Sequence, residues 1–406
     1  MPASAIDFTV VTHVIHFSVV PLSNGALDTN VNSLTAGYSA NIVTNAHNAG
    51  RKVLFCVGGG NSQAGFQGAT SSTNLSAFIS NLTSFMTTRG YDGVDIDWEP
   101  LDPADAPQYT NLVNGLRTAL NAIHPRPLLT AAIATPPTPV ALIASLQNQF
   151  DQINLMTYDM SGPYPGWVTW FNAPIFDGGY RFASTGGLVP SADGVVKSCV
   201  NAGVVRSKLA IGIAFYGYVW QGGVTQPRQS WTTAPSFTAV SYNTIMGTYY
   251  QPQLYHFDTA AQCPYLSIVN ANPANDQFIS YDDQRTCQAK VSYARNSGLG
   301  GVMIWELGQD HHAGQPDPLL QSIKQAMATP GATALRVNGT DINLSFSSVP
   351  LGSYRVQWKS NLTASVWNTL TTTNVPNSST GGVIQVSDPG AIGIQAPRFY
   401  RIQTPP

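Results

Sequence analysis

Charge is scarce in this chain. Only 10% of its 406 residues are Asp, Glu, Lys or Arg, against about a quarter in ordinary globular domains. The 19 basic and 21 acidic residues nearly cancel, to a formal net charge of −2. Without a basic surplus there is no electrostatic footprint for nucleic acid or for an anionic membrane surface. Long apolar runs are missing too, so no segment reaches the roughly 18 residues that a membrane-crossing helix needs. Met1-Pro2-Ala3-Ser4 has neither the charged start nor the apolar stretch of a signal peptide, so no leader is expected within this chain. Cysteine is rare: Cys56, Cys199, Cys263 and Cys287. Their spacing resembles no zinc motif, and no metal or cofactor is expected. Cys56 lies in an apolar run and reads as a buried thiol. Cys263 and Cys287 flank one segment and could form a disulfide, a pairing that sequence cannot fix.

Hydrophobic residues make up 43% of the chain, enough for one large domain plus a small one. Ser, Thr, Asn, Gly and Gln take the place of surface charge. Such a neutral surface suits a secreted protein that works on an uncharged polymer.

From residue 12 an apolar run, a polar turn and a helical stretch recur. Strand-like runs fall at 12–20, 52–57, 93–98, 128–133, 152–158, 208–215 and 301–305. Helical stretches lie near 33–48, 73–89, 107–123, 139–148, 191–202, 284–297 and 316–327. Alternation of this kind predicts a parallel sheet, and at this length a TIM-type β/α barrel with its site at the C-terminal strand ends. About seventy residues rich in Trp and Tyr separate the run at 208–215 from the helix at 284–297, and loops this long usually have structure or function of their own. Gly331-Ala332-Thr333 reads as a linker. Beyond it, period-2 runs at 354–358, 383–386 and 399–402 predict a small all-β sandwich over 331–406. Trp358 and Trp367 are expected mainly in its core.

The most specific stretch is Asp92-Gly-Val-Asp95-Ile-Asp97-Trp98-Glu99. In a strand, residues at i, i+2 and i+4 share a face, so Asp95, Asp97 and Glu99 line one side and Val94, Ile96 and Trp98 the other. Burying several like charges together costs several kcal/mol per ion unless they are paired, protonated or used. Such a row pushes neighbouring pKa values apart, as acid catalysis requires. A metal site would draw more oxygen ligands from loops. Asp92 falls on the opposite parity and is expected to hold backbone.

This stretch resembles the signature Asp-x-x-Asp-x-Asp-x-Glu of glycoside hydrolase family 18, the chitinases and their relatives. Met156-Thr-Tyr158-Asp159, Gly212-Ile-Ala-Phe-Tyr216-Gly217 and Leu299-Gly-Gly-Val-Met-Ile-Trp305-Glu306 resemble further strands of the family, and the resemblance spans about residues 10–328. It implies a barrel at 1–330 with a small α+β insertion at about 218–280, and chitin or chito-oligosaccharides as the partner. It also implies hydrolysis with retention, in which the substrate's own N-acetyl oxygen attacks the anomeric carbon. Glu99 would be the general acid, its pKa raised by Asp97 and tryptophan walls. Asp97 would hold the acetamido N–H, Asp95 would share a proton with Asp97, and Tyr158 would donate its hydroxyl to the acetamido group. Trp305 would form the sugar's floor, with Asp159, Met156, Tyr216, Trp98 and Trp167 lining the cleft, and Trp170 and Trp220 among its aromatics. Three departures stand out: Cys56 where the family has Ser, Tyr218 where it often has Arg, and no counterpart of the first strand ahead of residue 12. Two other activities remain in view, an endo-β-N-acetylglucosaminidase acting on N-glycans and a chitin-binding lectin of weak activity. The aromatic insertion favours the chitinase, and the presence of Glu99 disfavours the lectin.

Overall fold

The computed structural model describes residues 1–134, 139–328, 332–348, 353–374, 382–393 and 397–403. β1 (His13–Pro21) and the two-residue β2 (Leu27–Asp28) come first. They are followed by β3 (Lys52–Gly59), β4 (Gly93–Trp98), β5 (Leu128–Ala134), β6 (Gln152–Met156) and β7 (Leu209–Ala214). β8 (Tyr216–Gln221), β9 (Ser236–Ser241), β10 (Tyr255–Asp258), β11 (Cys263–Ile268) and β12 (Gln277–Ser280) precede β13 (Gly301–Trp305). β4 and β7 are buried at every residue, which is why their sequences are almost unbroken apolar runs. Helices such as Leu75–Arg89 and Ala106–Asn121 cover the outer face of the sheet. Phe78, Leu82, Leu112 and Leu116 from them meet Val94, Ile96 and Leu129 in one core. Local chemistry sets the helix ends. The side chains of Thr35, Ser191 and Asp283 accept from backbone N–H groups of the first turns they begin, and Gly90, at φ 76°, closes Leu75–Arg89 in the left-handed conformation.

The main sheet runs β13-β7-β6-β5-β4-β3-β1-β2. Every contact from β13 to β1 is parallel, and β2 lies antiparallel on β1. This is a curled parallel sheet of the barrel type. Among the described residues β13 pairs only with β7, and β1 and β13 do not pair with each other. The effect shows in burial, since all five residues of β13 are only half-buried. The rings of Phe17 on β1 and Trp305 on β13 meet edge to face, 4.7 Å apart, across this seam. On the outside, residues 3–11 form a strap that contains one short turn, Ala3–Ala5. Asp7 accepts from Gln321 Nε2 at 2.9 Å and Lys324 Nζ at 3.2 Å, both on Pro318–Ala328. Arg51 Nε donates to Phe8 O at 2.8 Å from the other side.

The segment after β7 is a five-stranded antiparallel sheet, β10-β11-β12-β8-β9, with a short helical stretch over 242–249. Beyond β13, β14 (Ala332–Asn338), β15 (Asp341–Ser348), β16 (Ser353–Lys359), β17 (Asn368–Asn374), β18 (Gly382–Asp388) and β19 (Phe399–Gln403) form two three-stranded sheets. Phe346, Ile384 and Val386 from one sheet pack on Tyr354, Val356 and Ile402 from the other. Ala332 already pairs with Phe346, so the expected linker at 331–333 is shorter than its composition suggested; Gly331 lies outside the described residues. Trp358 and Trp367 are half-buried rather than core: Arg398 lies over Trp358, and Lys359 and Arg401 lie over Trp367. All four cysteines are buried free thiols. Cys263 and Cys287 belong to different packing clusters, which separates the suggested pair.

An unpaired strand edge opens more readily than the middle of a sheet. Backbone amides in 301–305 should therefore exchange with solvent at least about tenfold faster than those in 93–98. Equal protection of the two strands, read by peptide-level hydrogen exchange, would mean that β13 has a second partner in solution.

Candidate active site

The pleat of β4 divides its side chains as the alternation predicts. Trp98 turns outward, stacks on Phe66 at 4.5 Å and 6°, and is 3% exposed. It is a core residue between sheet and helices, and its parity excludes it from the cleft. Asp95 and Asp97 turn inward and are 2% and 4% exposed. Asp92, on the outer parity, accepts from Val53 N at 2.8 Å and meets Lys52 and His47, each at 2.7 Å, fixing β4 against β3.

The inner row is held closely. Gly58 allows β3 to approach β4, since a Cβ there would lie 1.9 Å from Asp97 O. Ser62 Oγ donates to Asp97 O at 3.3 Å and accepts from Glu99 N at 3.1 Å, clamping the strand end. Thr130 donates to Asp95, and Cys56 and Asn154 are further hydrogen-bond partners of the same carboxyl. Burial outweighs these bonds and pushes the Asp95 pKa up to about 6. Burial also drives Asp97 well above the usual carboxylate range, with the charges of Glu99 and Asp95 adding to it. Asp97 hydrogen-bonds Glu99, while its Oδ1 has no protein partner. Glu99, half-buried at the strand end, is raised by burial first and then by the charge of Asp159, and the bond from Asp97 works against the rise. The cause expected from the sequence, Asp97 itself, is thus replaced by Asp159. Asp97 and Glu99 are hydrogen-bonded to each other, and the charge of Asp95 adds to the rise at Asp97.

Just past β6, Tyr158 turns into the same space. It packs with Ala173, Ala214 and Tyr216, and against Met156, Tyr218, Met303 and Trp305. Its hydroxyl lies 3.8 Å from Met303 Sδ. Gly212 on β7 makes room, because a Cβ there would fall 2.6 Å from the Tyr158 ring. Asp159, exposed and at φ 55°, is fixed by its N–H to Asn172 Oδ1 at 2.8 Å. Its Oδ1 accepts from Tyr216 at 2.5 Å and Tyr218 at 2.8 Å.

Asp95, Asp97, Glu99, Tyr158, Asp159, Met156, Tyr216 and Trp305 thus gather at the C-terminal ends of β4, β6, β7 and β13. Trp167 lies further out, half-buried between Tyr164 and Phe182. Trp170 and Trp220 are fully buried, and Trp170 donates its indole N–H to Pro190 O. Sequence reasoning missed Thr130, Asn154, Ser62, Asn172 and Met303 and had no partner for Tyr218. None carries a motif of its own, and each is defined by the carboxyl, hydroxyl or backbone group it meets in space.

Residues 4–310 match the family described as glycosyl hydrolases family 18. The class V chitinase of Arabidopsis thaliana is 32% identical over 284 residues, 65% of this chain and 70% of that protein. Chitinase A1 of Niallia circulans is 28% identical over 377 residues, 84% of this chain and 52% of that protein, so the chain spans about half of that relative's length. In fold, the Group IV chitinase of Ostrinia furnacalis superposes with a TM-score of 0.70 over 81% of this chain and 94% of that one, at 23% identity. A match running from residue 4 to residue 310, through β4 and its row of carboxyls, makes this chain a member of glycosyl hydrolases family 18.

Proposed function

We propose that this chain is a chitinase, hydrolysing β-1,4 bonds between N-acetylglucosamine units with retention. The observation that carries this reading is the hydrogen bond between the buried Asp97 and Glu99 at the end of β4, with Tyr158 beside them. Glu99, raised by burial and by Asp159, keeps a proton for the leaving oxygen and later activates water. Asp97 is hydrogen-bonded to Glu99 and does not stand free as a nucleophile. The attack therefore falls to the substrate's acetamido oxygen. Asp97 accepts the acetamido N–H at its unpartnered Oδ1, which steers that oxygen and stabilises the cation that forms. Tyr158 donates its hydroxyl to the acetamido group. Trp305 offers a ring face to the sugar, and Met156, Asp159, Tyr216 and Trp167 line the cleft. Chitin lies outside cells, and the uncharged, amide-rich composition suits secretion there; recovery of the native protein only from cell interiors would refute that location.

Two further readings complete the proposal. The open edges of β1 and β13 represent one absent strand of an eight-stranded barrel, with residues 3–11 strapping the gap from outside. Residues 1–330 carry the chemistry, with 218–280 as a wall of the cleft, and 331–406 form a separate accessory sandwich. Every residue of the site lies before 306, so a protein ending at residue 330 should hydrolyse soluble chitin oligomers at close to the full rate. Loss of most activity with retained solubility would tie the sandwich to the site.

Glu99→Gln should leave the fold intact and lower turnover by about 10²- to 10⁴-fold, the usual contribution of a positioned acid. A variant retaining more than about a tenth of the rate, a loss under about 1.4 kcal/mol, would remove Glu99 as the acid.

The raised Asp95 makes a separate prediction about stability. Its folded pKa of about 6 exceeds the value of about 3.9 expected in the unfolded chain. The folded state therefore binds more protons between these values, and the contribution is complete below about pH 4 and lost as pH rises through about 6. Its size is on the order of 2–3 kcal/mol. Asp95→Asn, neutral throughout, should shrink the fall in unfolding free energy between about pH 4 and 7, measured by urea denaturation. An unchanged slope would assign that fall to other groups.

A further inference from the structure

One buried charge pair has no part in the chemistry above. Asp282 follows β12, and Lys290 stands on the helix Gln284–Asn296; both side chains are fully buried. Lys290 Nζ donates to Asp282 Oδ2, and the same oxygen accepts Ala214 N at 3.2 Å. Asp282 Oδ1 is buried without a protein partner among the described residues. Taking two ions out of water costs several kcal/mol each, which their attraction seldom more than offsets, so such a pair is weak evidence of stability. The thiols of Cys263 and Cys287 stand around it, pushed up by burial and therefore neutral.

Asp282 acts where the barrel sheet divides. β6 and β7 are paired as far as Leu155 and Ile211. Beyond that point β6 ends, and the chain places Tyr158 and Asp159 at the cleft. The N–H groups of β7 on that side then need other acceptors. Gly212 N finds Thr157 Oγ1 at 2.8 Å, and Ala214 N finds Asp282. The other edge of β7 stays on β13, with Ala214 opposite Trp305 and Phe215 N donating to Trp305 O at 2.8 Å. Two residues after Ala214, Tyr216 donates to Asp159 Oδ1. The end of β12 reaches Asp159 by a second route: Ser280 Oγ accepts Asn172 N at 2.7 Å, and Asn172 Oδ1 accepts Asp159 N at 2.8 Å. Gly217 lets β8 lie close to this strand, since a Cβ there would fall 2.1 Å from Ser280 O.

We propose that Asp282, held by Lys290, is a positioning residue of this active site: by fixing Ala214 N it sets the place of Tyr216 and so of the Asp159 carboxyl beside Glu99. The inference rests on the chitinase reading above and concerns residues outside the cleft. Lys290 supplies the charge that opposes the rise burial gives Asp282, and Asp283 is the neighbouring acid. The groups acting on Glu99 are Asp97 on β4 and Asp159 after β6. Asp159 raises Glu99, so displacing Asp159 lowers the pH at which Glu99 loses its proton.

The test uses the hexamer of N-acetylglucosamine and pairs of substitutions, because removing one partner alone leaves a buried charge uncompensated. Asp282→Asn with Lys290→Met removes both charges and keeps an oxygen for Ala214 N. Asp282→Leu with Lys290→Met removes both charges and the oxygen, and Asp282→Ala with Lys290→Met does the same without bulk should the leucine not be accommodated. The asparagine variant should keep kcat/KM within about threefold of the wild type, with the upper limb of its pH profile unmoved. The variants lacking the oxygen should lose about tenfold or more in kcat/KM and move that limb by at least about half a pH unit to the acid side, as Tyr216→Phe should. Thermal melting of each variant separates this shift from loss of fold. An unmoved limb in every folded variant, or the same displacement with and without the oxygen, would overturn the inference and leave the chitinase reading standing. A wild-type protein that leaves the hexamer intact would overturn both.

Discussion

Three carboxyl groups on the inner face of one buried strand cannot all be ionised, and the surrounding structure is arranged around that constraint. Asp95, deepest, is surrounded by the neutral donors Thr130, Asn154 and Cys56, which soften its burial without supplying a counter-charge. Asp97, next along the strand, is held well above the usual carboxylate range and hydrogen-bonds Glu99. Glu99 sits at the strand end, where water and substrate reach it. The ordering from deep to shallow follows from strand period and strand length alone. Asp92, on the other face and paired with Lys52, shows how the same residue type behaves when a cation is at hand: its pKa falls.

The remaining parts of the site are attached to strands that continue into the inserted sheet. β7 ends at Ala214 and β8 begins at Tyr216, so the barrel and the inserted sheet share one continuous stretch of chain. Tyr216 faces Tyr158 on one side and reaches Asp159 on the other. Asn172 ties the loop after β6 to both, through Asp159 N and Tyr216 O. Glu99, Tyr158 and the inserted sheet are therefore positioned together, and the Asp159 carboxyl that acts on Glu99 is held in place by Tyr216 and Tyr218.

Much of this was legible in the sequence because it depends on local periodicity. The apolar runs became parallel strands close to the expected bounds, and the alternation in β4 placed its acids on one face. What was not legible depends on which surface a side chain meets after folding. Trp98 followed its own parity into the core, although its neighbours in sequence are the acids. Trp170 and Trp220 are equally aromatic and equally near the cleft in sequence, yet the inserted sheet and its flanking loops bury them completely. The charge that adds to the burial of Glu99 lies sixty residues away, at Asp159, and no spacing rule connects the two.

The strap of residues 3–11 has a mechanical consequence. In a closed barrel, neighbouring strands are joined by a ladder of backbone hydrogen bonds that yields as a unit. Across the seam between β1 and β13 that load passes instead through the ring contact of Phe17 with Trp305 and, on the outside, through Asp7 to the helix Pro318–Ala328. Such a joint gives way one contact at a time. Trp305 stands on β13, so the spacing of its ring from the carboxyls on β4 is tied to a solvent-facing fastening on the far side of the sheet.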